Sequence, residues 1–248
     1  MTVFDLNFAI EHIPDVLQGV PITLLIAAVS IIIGSIIGLG LALSRIYKVV
    51  LLNQLTIGFV SIIRGTPLLV QLYVFFYGIP ELFDWINATW ETQWNADNIS
   101  PIWYAFIVYS MNAAAYTTEI FRASLNSVAA GQMEACHSVG MTTWQGLRRI
   151  VFPQMIIMAL PNMGNIFINL IKSTSLAFAV KVVEIMAISK MIANQGYNFL
   201  EMYLVASIIY WIICLLLELL LYTLEKYMSS YKYKLPNMPV SKVSGTVS

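Results

Sequence analysis

The chain has 248 residues, of which 59% are hydrophobic and only 10% are charged, whereas a soluble domain carries roughly 25% charged residues. This composition and the mean hydropathy of +0.77 exclude an ordinary soluble domain and indicate an integral membrane protein. Thirteen basic and thirteen acidic residues give a formal net charge of zero, which says nothing about partners. No basic stripe of the kind that binds nucleic acid is present.

Five stretches are long and apolar enough to cross a bilayer core, which takes about 20 residues of helix. In chain order they are Val20–Leu43, Leu55–Ile79, Ile102–Ala123, Ile150–Ile171 and Met202–Tyr222. We therefore expect an extracellular N-terminal segment (1–19), one transmembrane domain (20–228) and a cytoplasmic tail (229–248), whose last part is polar. Gly34 and Gly38 form a G-x-x-x-G motif in the first span, which predicts close contact with another helix.

A sixth apolar stretch, Thr174–Ile192, contains Lys181, Glu184 and Lys190. Each of these charges costs about 3 kcal/mol at the centre of a membrane-spanning helix. The pattern therefore predicts short helices that lie against the bundle.

Lys and Arg near the ends of the spans predict the orientation, because cytoplasmic loops carry an excess of both. If the N-terminus is outside, five spans leave the C-terminus inside, and the loops on the inner side are basic. These loops hold Arg45, Lys48, Arg122, Arg148, Arg149, Lys226, Lys232 and Lys234. The loop between residues 80 and 101 falls outside and holds four acidic residues and no Lys or Arg. Lys172, Lys181 and Lys190 oppose this bias mildly.

The sequence lacks the patterns for a signal peptide, a disulfide, a metal site and an ATP site. Residues 1–19 are polar and acidic, without the basic and apolar regions of a signal peptide, so we expect the first span to remain in the mature protein. Cys136 and Cys214 are far apart in sequence, which disfavours a disulfide, and no Cys/His cluster predicts a metal site. The phosphate-binding pattern G-x-x-x-x-G-K-[ST] is absent, so any ATP must be hydrolysed on another subunit.

The most informative segment reads EACHSVG at residues 134–140 and, after nine further residues, IVFP at residues 150–153. It resembles the EAA loop of bacterial importer permeases: E-A-A, three residues, Gly, nine residues and Ile-x-Leu-Pro. The spacing fits throughout, and the identities depart at Cys136 and Phe152. In that family the loop forms a short cytoplasmic helix that docks into a groove of an ATPase subunit.

Four further blocks are similar to motifs of the polar amino-acid permeases, the histidine, glutamine, arginine and cystine group. They read RGTPLLVQ at 64–71, AYTTEIFR at 115–122, GQMEA at 131–135 and IKSTSL at 171–176. The last block has Ser173 in place of the usual Asp. The blocks occur in the family's order and extend the resemblance from about residue 20 to residue 225.

The resemblance implies an all-α permease of the type I ABC importer fold, with five transmembrane helices and a coupling loop at about residues 125–150. Such a permease passes a polar amino acid from an extracellular solute-binding protein to the cytoplasm by alternating access, and the chain resembles the cystine permeases most. It implies a cell-membrane complex of two permease chains, identical or homologous, and two ATPase subunits that bind ATP and Mg²⁺. The chain itself is expected to bind no cofactor, no metal and no nucleic acid.

For the loop, the resemblance assigns ATPase docking to Glu134, Ala135, Cys136, Gly140 and Met141. A small residue at 135 would let the helix approach a groove closely. Gly140 would allow the chain to turn, because glycine accepts a positive φ at a helix C-terminus. The alternative is a plain amphipathic surface helix, although exposed apolar residues at this density favour a partner surface.

Arg64 lies about nine residues into the second span, near 14 Å of rise. A guanidinium at that depth must face a partner or a cavity, and it is a natural bidentate ligand for an α-carboxylate. Pro67 removes a backbone donor and breaks the helix nearby, as at many substrate sites within membranes. The alternative, a structural ion pair of Arg64 with Glu119 or contact with a helix end, stays open.

Four more residues are candidate substrate ligands. Glu119 is placed to receive an α-ammonium group or to pair with Arg122 three residues on. Lys172 is a second candidate for the carboxylate, although straight helices would not bring it to Arg64 and Glu119. The hydroxyl groups of Thr174 and Ser175 either coordinate substrate or cap the helix that follows.

Two other function classes remain. An ion-coupled secondary transporter of small polar solutes would explain the membrane spans and Arg64, but it would leave the EAA-like loop unexplained. An intramembrane enzyme is disfavoured, because no acid/base pair or nucleophile stands out.

Overall fold

The computed structural model describes residues 4–93, 95, 99–128 and 131–232. This part of the chain is almost entirely helical and contains no strand. The α-helices are α1 (Leu6–Glu11), α2 (Ile13–Leu17), α3 (Val20–Ile46), α4 (Val50–Gly65), α5 (Leu68–Trp90), α6 (Pro101–Ser127), α7 (Gly131–Ser138), α8 (Thr143–Gly146), α9 (Phe152–Ser173), α10 (Ile185–Gly196) and α11 (Phe199–Lys232). A π-helical turn (Leu147–Val151) precedes α9, and a 3₁₀-helix (Thr174–Val180) follows it. The predicted polar tail after residue 232 lies outside the described residues.

Helices α3 and α6 form the most extensive contact of the fold. A Cβ atom added at Gly34 would overlap Ala113, and one added at Gly38 would overlap Thr117. The hydroxyl group of Thr117 donates across this contact to the carbonyl of Gly34 at 3.0 Å. The close helix contact predicted from the G-x-x-x-G motif is therefore confirmed, and its partner is α6 of the same chain.

Helix α6 is the centre of the bundle, because α3, α4, α5 and α9 all pack against it. Its middle carries the small residues Ala113, Ala114 and Ala115, which are fully buried. Small side chains let several helices approach one axis closely. The polar residues Thr117 and Thr118 are buried in the same region and donate to carbonyls of α6 one turn earlier.

The described helices do not reproduce five spans by length and apolarity alone. Three stretches qualify, namely Val20–Ile46, Thr143–Val180 and Phe199–Met228, and the pair α4 and α5 adds a fourth if it is one bent span. Helix α6 is 27 residues long, about 40 Å at 1.5 Å per residue. It does not qualify by composition, because polar and charged side chains interrupt it.

The second predicted span, Leu55–Ile79, is two helices in the structure. Helices α4 and α5 meet at Thr66 and Pro67 with a bend of 108°, so the helix break expected at Pro67 is present. Helix α5 extends beyond this apolar stretch, through Pro80 to Trp90. A proline removes only one backbone donor, and the packed helix runs on past it.

The charged stretch Thr174–Ile192 forms the 3₁₀-helix and α10, as the prediction of short helices required. Glu184 is fully buried at the start of α10. Its carboxylate accepts from the backbone amides of Met186 and Ala187, at 3.0 and 2.8 Å, and from the hydroxyl group of Tyr210 at 2.5 Å. One buried carboxylate thus caps α10 and ties it to α11.

Candidate functional site

The break between α4 and α5 is held open by one side chain. Thr66 and Pro67 adopt extended backbone conformations, which leave carbonyl groups at the end of α4 without helical partners. The side-chain nitrogen Nε2 of Gln71 donates to the carbonyl groups of Ile63 and Thr66 at 2.8 and 3.2 Å. The same nitrogen lies 2.8 Å from the hydroxyl oxygen of Thr66. The amide oxygen of Gln71 is buried and has no hydrogen-bond partner among the described residues.

A cleft of about 430 Å³ opens beside this break. Thr66, Pro67 and Leu68 form one wall, and residues of α6 and α9 form the others. The polar residues of its lining are Thr66, Asn112, Tyr116, Asn169 and Ser173. We call it the central cleft. A broken helix beside amide and hydroxyl groups gives a polar chamber inside an otherwise apolar bundle.

Arg64 does not itself line the central cleft but contacts Tyr116, which does. Its guanidinium stacks over the ring of Tyr116, with the carbon atom Cζ 5.1 Å from the ring centroid. The side chain is exposed and forms no ion pair with any carboxylate that the structure describes. An arginine on an aromatic face keeps the edge of its planar fork available for a carboxylate.

Glu119 does not pair with Arg64. Its carboxylate binds the guanidinium groups of Arg45 and Arg122, with Arg45 on one oxygen and Arg122 on the other at 2.7 Å. The pairing of Glu119 with Arg122, one of two roles that the sequence left open, is formed, and the alternative pair of Arg64 with Glu119 is not. Both carboxylate oxygens are thus occupied by cations of this chain.

The remaining candidates lie around the end of α9. Lys172 is exposed in the last turn, next to Ser173, but does not itself line the central cleft. Thr174 is fully buried, and its hydroxyl group donates to the carbonyl of Ile171 at 2.7 Å. The hydroxyl group of Ser175 donates to the carbonyl of Lys172 at 2.9 Å. Neither hydroxyl group caps the amides of the 3₁₀-helix, whose N-cap residue Ser173 makes no side-chain capping bond.

The EAA-like segment forms α7 and ends in a glycine turn. Gly140 has a φ of +80°. The amide of Gly140 donates to the carbonyl of His137, and the amide of Met141 donates to the carbonyl of Cys136, each at 3.0 Å. This pair of bonds is a Schellman motif, in which glycine takes the left-handed position. The turn predicted at Gly140 is confirmed.

A second helix starts directly after this turn. The hydroxyl group of Thr142 accepts from the amide of Gln145, and the side chain of Gln145 accepts from the amide of Thr142. This reciprocal capping box satisfies two amides that would otherwise lack partners. Glu134 and Ala135 are exposed, and the side chains of Val139 and Trp144 are 75% and 62% exposed. The loop thus presents a firmly capped, partly apolar surface.

Cys136, which the resemblance assigns to ATPase docking, is buried in this chain. Cys136 is only 4% exposed and packs on Gly146 of α8. A Cβ atom added at Gly146 would lie 3.2 Å from the Cβ of Cys136 and 2.9 Å from the sulfur of Met133. Cys136 therefore packs between the two short helices α7 and α8, whereas Glu134 and Ala135 lie on the exposed side of α7.

Sequence reasoning missed two residues that organise these sites. Gln71 stood only as the last letter of a motif, although an amide four residues after a proline in an apolar stretch is a usable signal for a braced break. Arg45 was counted only as a cytoplasmic charge. Its partner Glu119 lies 74 positions away, and no local spacing rule connects them.

Comparisons with known proteins agree with one another. The family model described as "Binding-protein-dependent transport system inner membrane component" matches residues 30–230. The "Probable amino-acid permease protein YxeN" of Bacillus subtilis (strain 168) is 42% identical over 229 residues, which cover 92% of this chain and 98% of that protein. The "L-cystine transport system permease protein TcyL" of the same strain is 38% identical and covers 90% and 91% of the two chains.

A solved structure is similar over almost the whole chain. It is described as "Crystal structure of an amino acid ABC transporter with histidines". The match has a TM-score of 0.77 and 28% sequence identity, and it covers 92% of this chain and 100% of that chain. The fold of this chain is thus similar to one already observed in an amino acid ABC transporter.

Proposed function

The chain belongs to the family of binding-protein-dependent transport system inner membrane components, and from that premise we propose how it carries its substrate and engages its partners. It is the permease subunit of an ABC importer for a polar amino acid. Its all-helical fold is that of the type I importers. It is a multi-pass membrane protein and a transporter subunit rather than an enzyme.

The proposed topology has five membrane-spanning segments: α3, the bent pair α4 and α5, α6, α9 and α11. Residues 1–19 lie outside, and residues 229–248 lie in the cytoplasm. The basic residues near Arg45, Arg122 and Arg148 support this orientation, because cytoplasmic ends attract Lys and Arg. A cysteine at the exposed position Ala135 should react with an impermeant thiol reagent from the cytoplasmic side only. Reaction from outside would show that the true topology is the reverse of the proposed one.

The proposed substrate path runs through the central cleft. The observation that carries this proposal is the polar lining beside the broken helix, because a break in a membrane helix exposes backbone and side-chain polar groups only where they face protein or a cavity. Arg64, which stacks on Tyr116 of the cleft wall, binds the α-carboxylate of the substrate. Asn112, Asn169 and Ser173 offer amide and hydroxyl groups to the rest of it.

Lys172, Thr174, Ser175 and Glu119 have lesser parts in this proposal. Lys172 is a second contact for the carboxylate, at the end of α9. Thr174 and Ser175 hold the junction between α9 and the 3₁₀-helix through their bonds to carbonyl groups. Glu119 acts as an ion-pair partner that joins α3 to α6, because both its oxygens are engaged.

The proposed coupling surface is the loop from α7 to α8. Glu134, Ala135, Gly140 and Met141 seat on a separate ATPase subunit, which binds ATP and Mg²⁺. The exposure of Val139 and Trp144 supports a partner surface there, because apolar side chains at this density are seldom left in water. A solute-binding protein delivers the amino acid from outside, and a second permease copy or homologue completes the pathway.

Uptake tests the function directly. A strain that lacks only this chain should lose uptake of one labelled polar amino acid, and the intact gene should restore it. L-cystine is the first substrate to test, because the relative TcyL is described as an L-cystine permease. A variant with Asn112→Leu and Asn169→Leu should not restore uptake although it is present in the membrane. Normal uptake by that variant would remove the central cleft from the path.

A further inference from the structure

A second polar cleft, distinct from the central cleft, lies where the end of α3, the start of α4 and the end of α6 meet. Its volume is about 620 Å³. The polar residues of its lining are Arg45, Lys48, Asn53, Gln54, Arg122 and Asn126. We call it the basic cleft. Neither the transport path nor the coupling loop of the proposed function uses it.

Positive charge exceeds negative charge around the basic cleft. Arg45, Lys48 and Arg122 line it, and Glu119 is the carboxylate that binds two of them. Glu119 engages one terminal nitrogen of Arg45, and it engages the Nε and one terminal nitrogen of Arg122. The other nitrogen atoms of both guanidinium groups have no bond to any described residue. Three cations against one carboxylate leave two positive charges that no described group balances.

The other donors of the basic cleft are also unused. The side chains of Lys48, Asn53, Gln54 and Asn126 make no hydrogen bond or ion pair within the part of the chain that the structure describes. Lys48 takes the left-handed position of a helix-ending turn, with a φ of +52°. The amide of Lys48 donates to the carbonyl of Arg45, and the amide of Val49 donates to that of Ser44. This turn fixes the backbone of Lys48 at the wall of the cleft.

An apolar surface continues from the basic cleft along α4. Val50 and Ile57 line the cleft and are 78% and 47% exposed. Next to Val50 in sequence, Leu51 is 70% exposed. A soluble anion would need only the charged donors. A lipid would use both features, because its phosphate needs cations and its acyl chains need an apolar flank. The combination therefore favours a lipid over a free ion.

We propose that the basic cleft binds the phosphate of an anionic phospholipid headgroup, with the acyl chains along the exposed apolar side of α4. Guanidinium forks and an ammonium group are strong donors to phosphate oxygens. Basic pockets between membrane helices are known to select such headgroups. In the proposed orientation the cleft faces the cytoplasmic leaflet. The proposal goes beyond the transport function, since it holds whichever amino acid is carried.

Lipid retention tests the proposal on the full chain purified in detergent with equal amounts of phosphatidylglycerol and phosphatidylcholine. Native mass spectrometry should show one phosphatidylglycerol retained in preference to phosphatidylcholine. Lys48→Asn removes one charge, and asparagine tolerates the left-handed backbone at that position. Its retention of phosphatidylglycerol should fall about fivefold, the effect expected of one cation at a membrane surface. Arg148→Asn removes the same charge from an exposed site outside the cleft and should leave retention unchanged.

The lipid and the free anion are separated by competition with inorganic phosphate at millimolar concentration. Retention of the lipid against phosphate, together with the loss in Lys48→Asn, supports the proposal. If inorganic phosphate alone displaces phosphatidylglycerol, the cleft binds a soluble anion, and the proposal of a lipid ligand is wrong. Equal retention of the two lipids would overturn the site, and so would an equal loss in Arg148→Asn and Lys48→Asn.

Discussion

The molecule contains two helix breaks that are built in different ways. The break between α4 and α5 has a proline at its centre and is braced by the amide of Gln71, whose own oxygen has no described partner. The break after α7 has a glycine at its centre and is closed by backbone bonds and a capping box. The first break leaves polar groups for a ligand to use. The second satisfies its own groups and presents a firm surface.

This difference fits the two tasks that we propose for the breaks. A break that lines a substrate path must offer hydrogen bonds to a substrate that binds and leaves. Polar groups without a partner in the protein itself are therefore useful there. A loop that transmits motion between subunits must not yield, so its turns are fixed by the backbone itself. Variants that exchange these properties should fail in different ways.

The largest effect is expected at Gly140. Its φ of +80° is unfavourable for a β-branched residue, although a Cβ atom there meets nothing within 4 Å. Gly140→Val should therefore strain only the backbone, by about 1–2 kcal/mol, and change the angle between α7 and α8. We expect membrane insertion to survive while the ATPase detaches and transport is lost, as measured by co-purification and uptake.

Gly140→Asn is the matched control, because asparagine adopts the left-handed conformation far more readily than valine. It should keep most of the ATPase retention. If Gly140→Val also kept the ATPase and transported normally, α7 would be a plain surface helix.

The next effect is expected at Gln71. Gln71→Leu keeps the size of the side chain but leaves the carbonyl groups of Ile63 and Thr66 unpaired, which costs about 1–3 kcal/mol. Uptake should fall while the ATPase stays bound, since the coupling loop is untouched. Thermal unfolding of the purified protein measures the cost. Gln154→Leu, which loses only a long 3.4 Å bond to Gln132, should have little effect, and an equal loss there would mean that Gln71 is an ordinary polar residue.

Arg64 tests whether the first break serves the substrate. Arg64→Lys keeps the charge but loses the planar fork. Loss of a charge-assisted hydrogen bond costs about 1.5–3 kcal/mol, roughly ten- to a hundredfold in affinity. Transport measured over a range of substrate concentrations should show that loss, with basal ATP hydrolysis and assembly retained. If the variant fails to assemble, Arg64 has a structural role. If its substrate affinity is unchanged, the substrate carboxylate binds elsewhere, and Lys172 is the next residue to test.

The smallest effect is expected at Tyr116. Its ring supports the guanidinium of Arg64 at 5.1 Å, and such a contact contributes about 0.5–1 kcal/mol at an exposed site. Tyr116→Leu should weaken substrate affinity about two- to fivefold. Tyr116→Phe keeps the ring and should behave like the original chain in the same uptake assay. An equal loss in Tyr116→Phe and Tyr116→Leu would show that the hydroxyl group, not the ring, is what matters.

The two breaks also differ in what the sequence reveals. The turn at Gly140 was predictable, because a glycine at the end of a short helix is a local signal. The break at Pro67 was predictable too, but the brace by Gln71 was not deduced, since it depends on which carbonyl groups the bend exposes. The burial of Cys136, which the resemblance assigned to ATPase docking with its neighbours, was not foreseen, because a helix of eight residues gives too little periodicity to show which side Gly146 covers.

Contacts between segments far apart in sequence were not predicted, because local patterns do not show which helices pack together. The helix contact through Gly34 and Gly38 was expected, but its partner α6 was not. The binding of Glu119 by Arg45 joins positions far apart in the chain, and only the packing of α3 on α6 brings them together. Composition likewise favours α6 least as a span, although it is the helix on which the others pack.

ATP-dependent uptake in reconstituted membranes tests the central claim most directly. Vesicles would contain this chain with its co-purifying subunits, and labelled amino acid with its binding protein would be present outside. We predict accumulation only when ATP is enclosed at the cytoplasmic side, and none when the permease carries Gly140→Val. Accumulation that follows a proton or sodium gradient and ignores ATP would contradict the account and identify a secondary transporter.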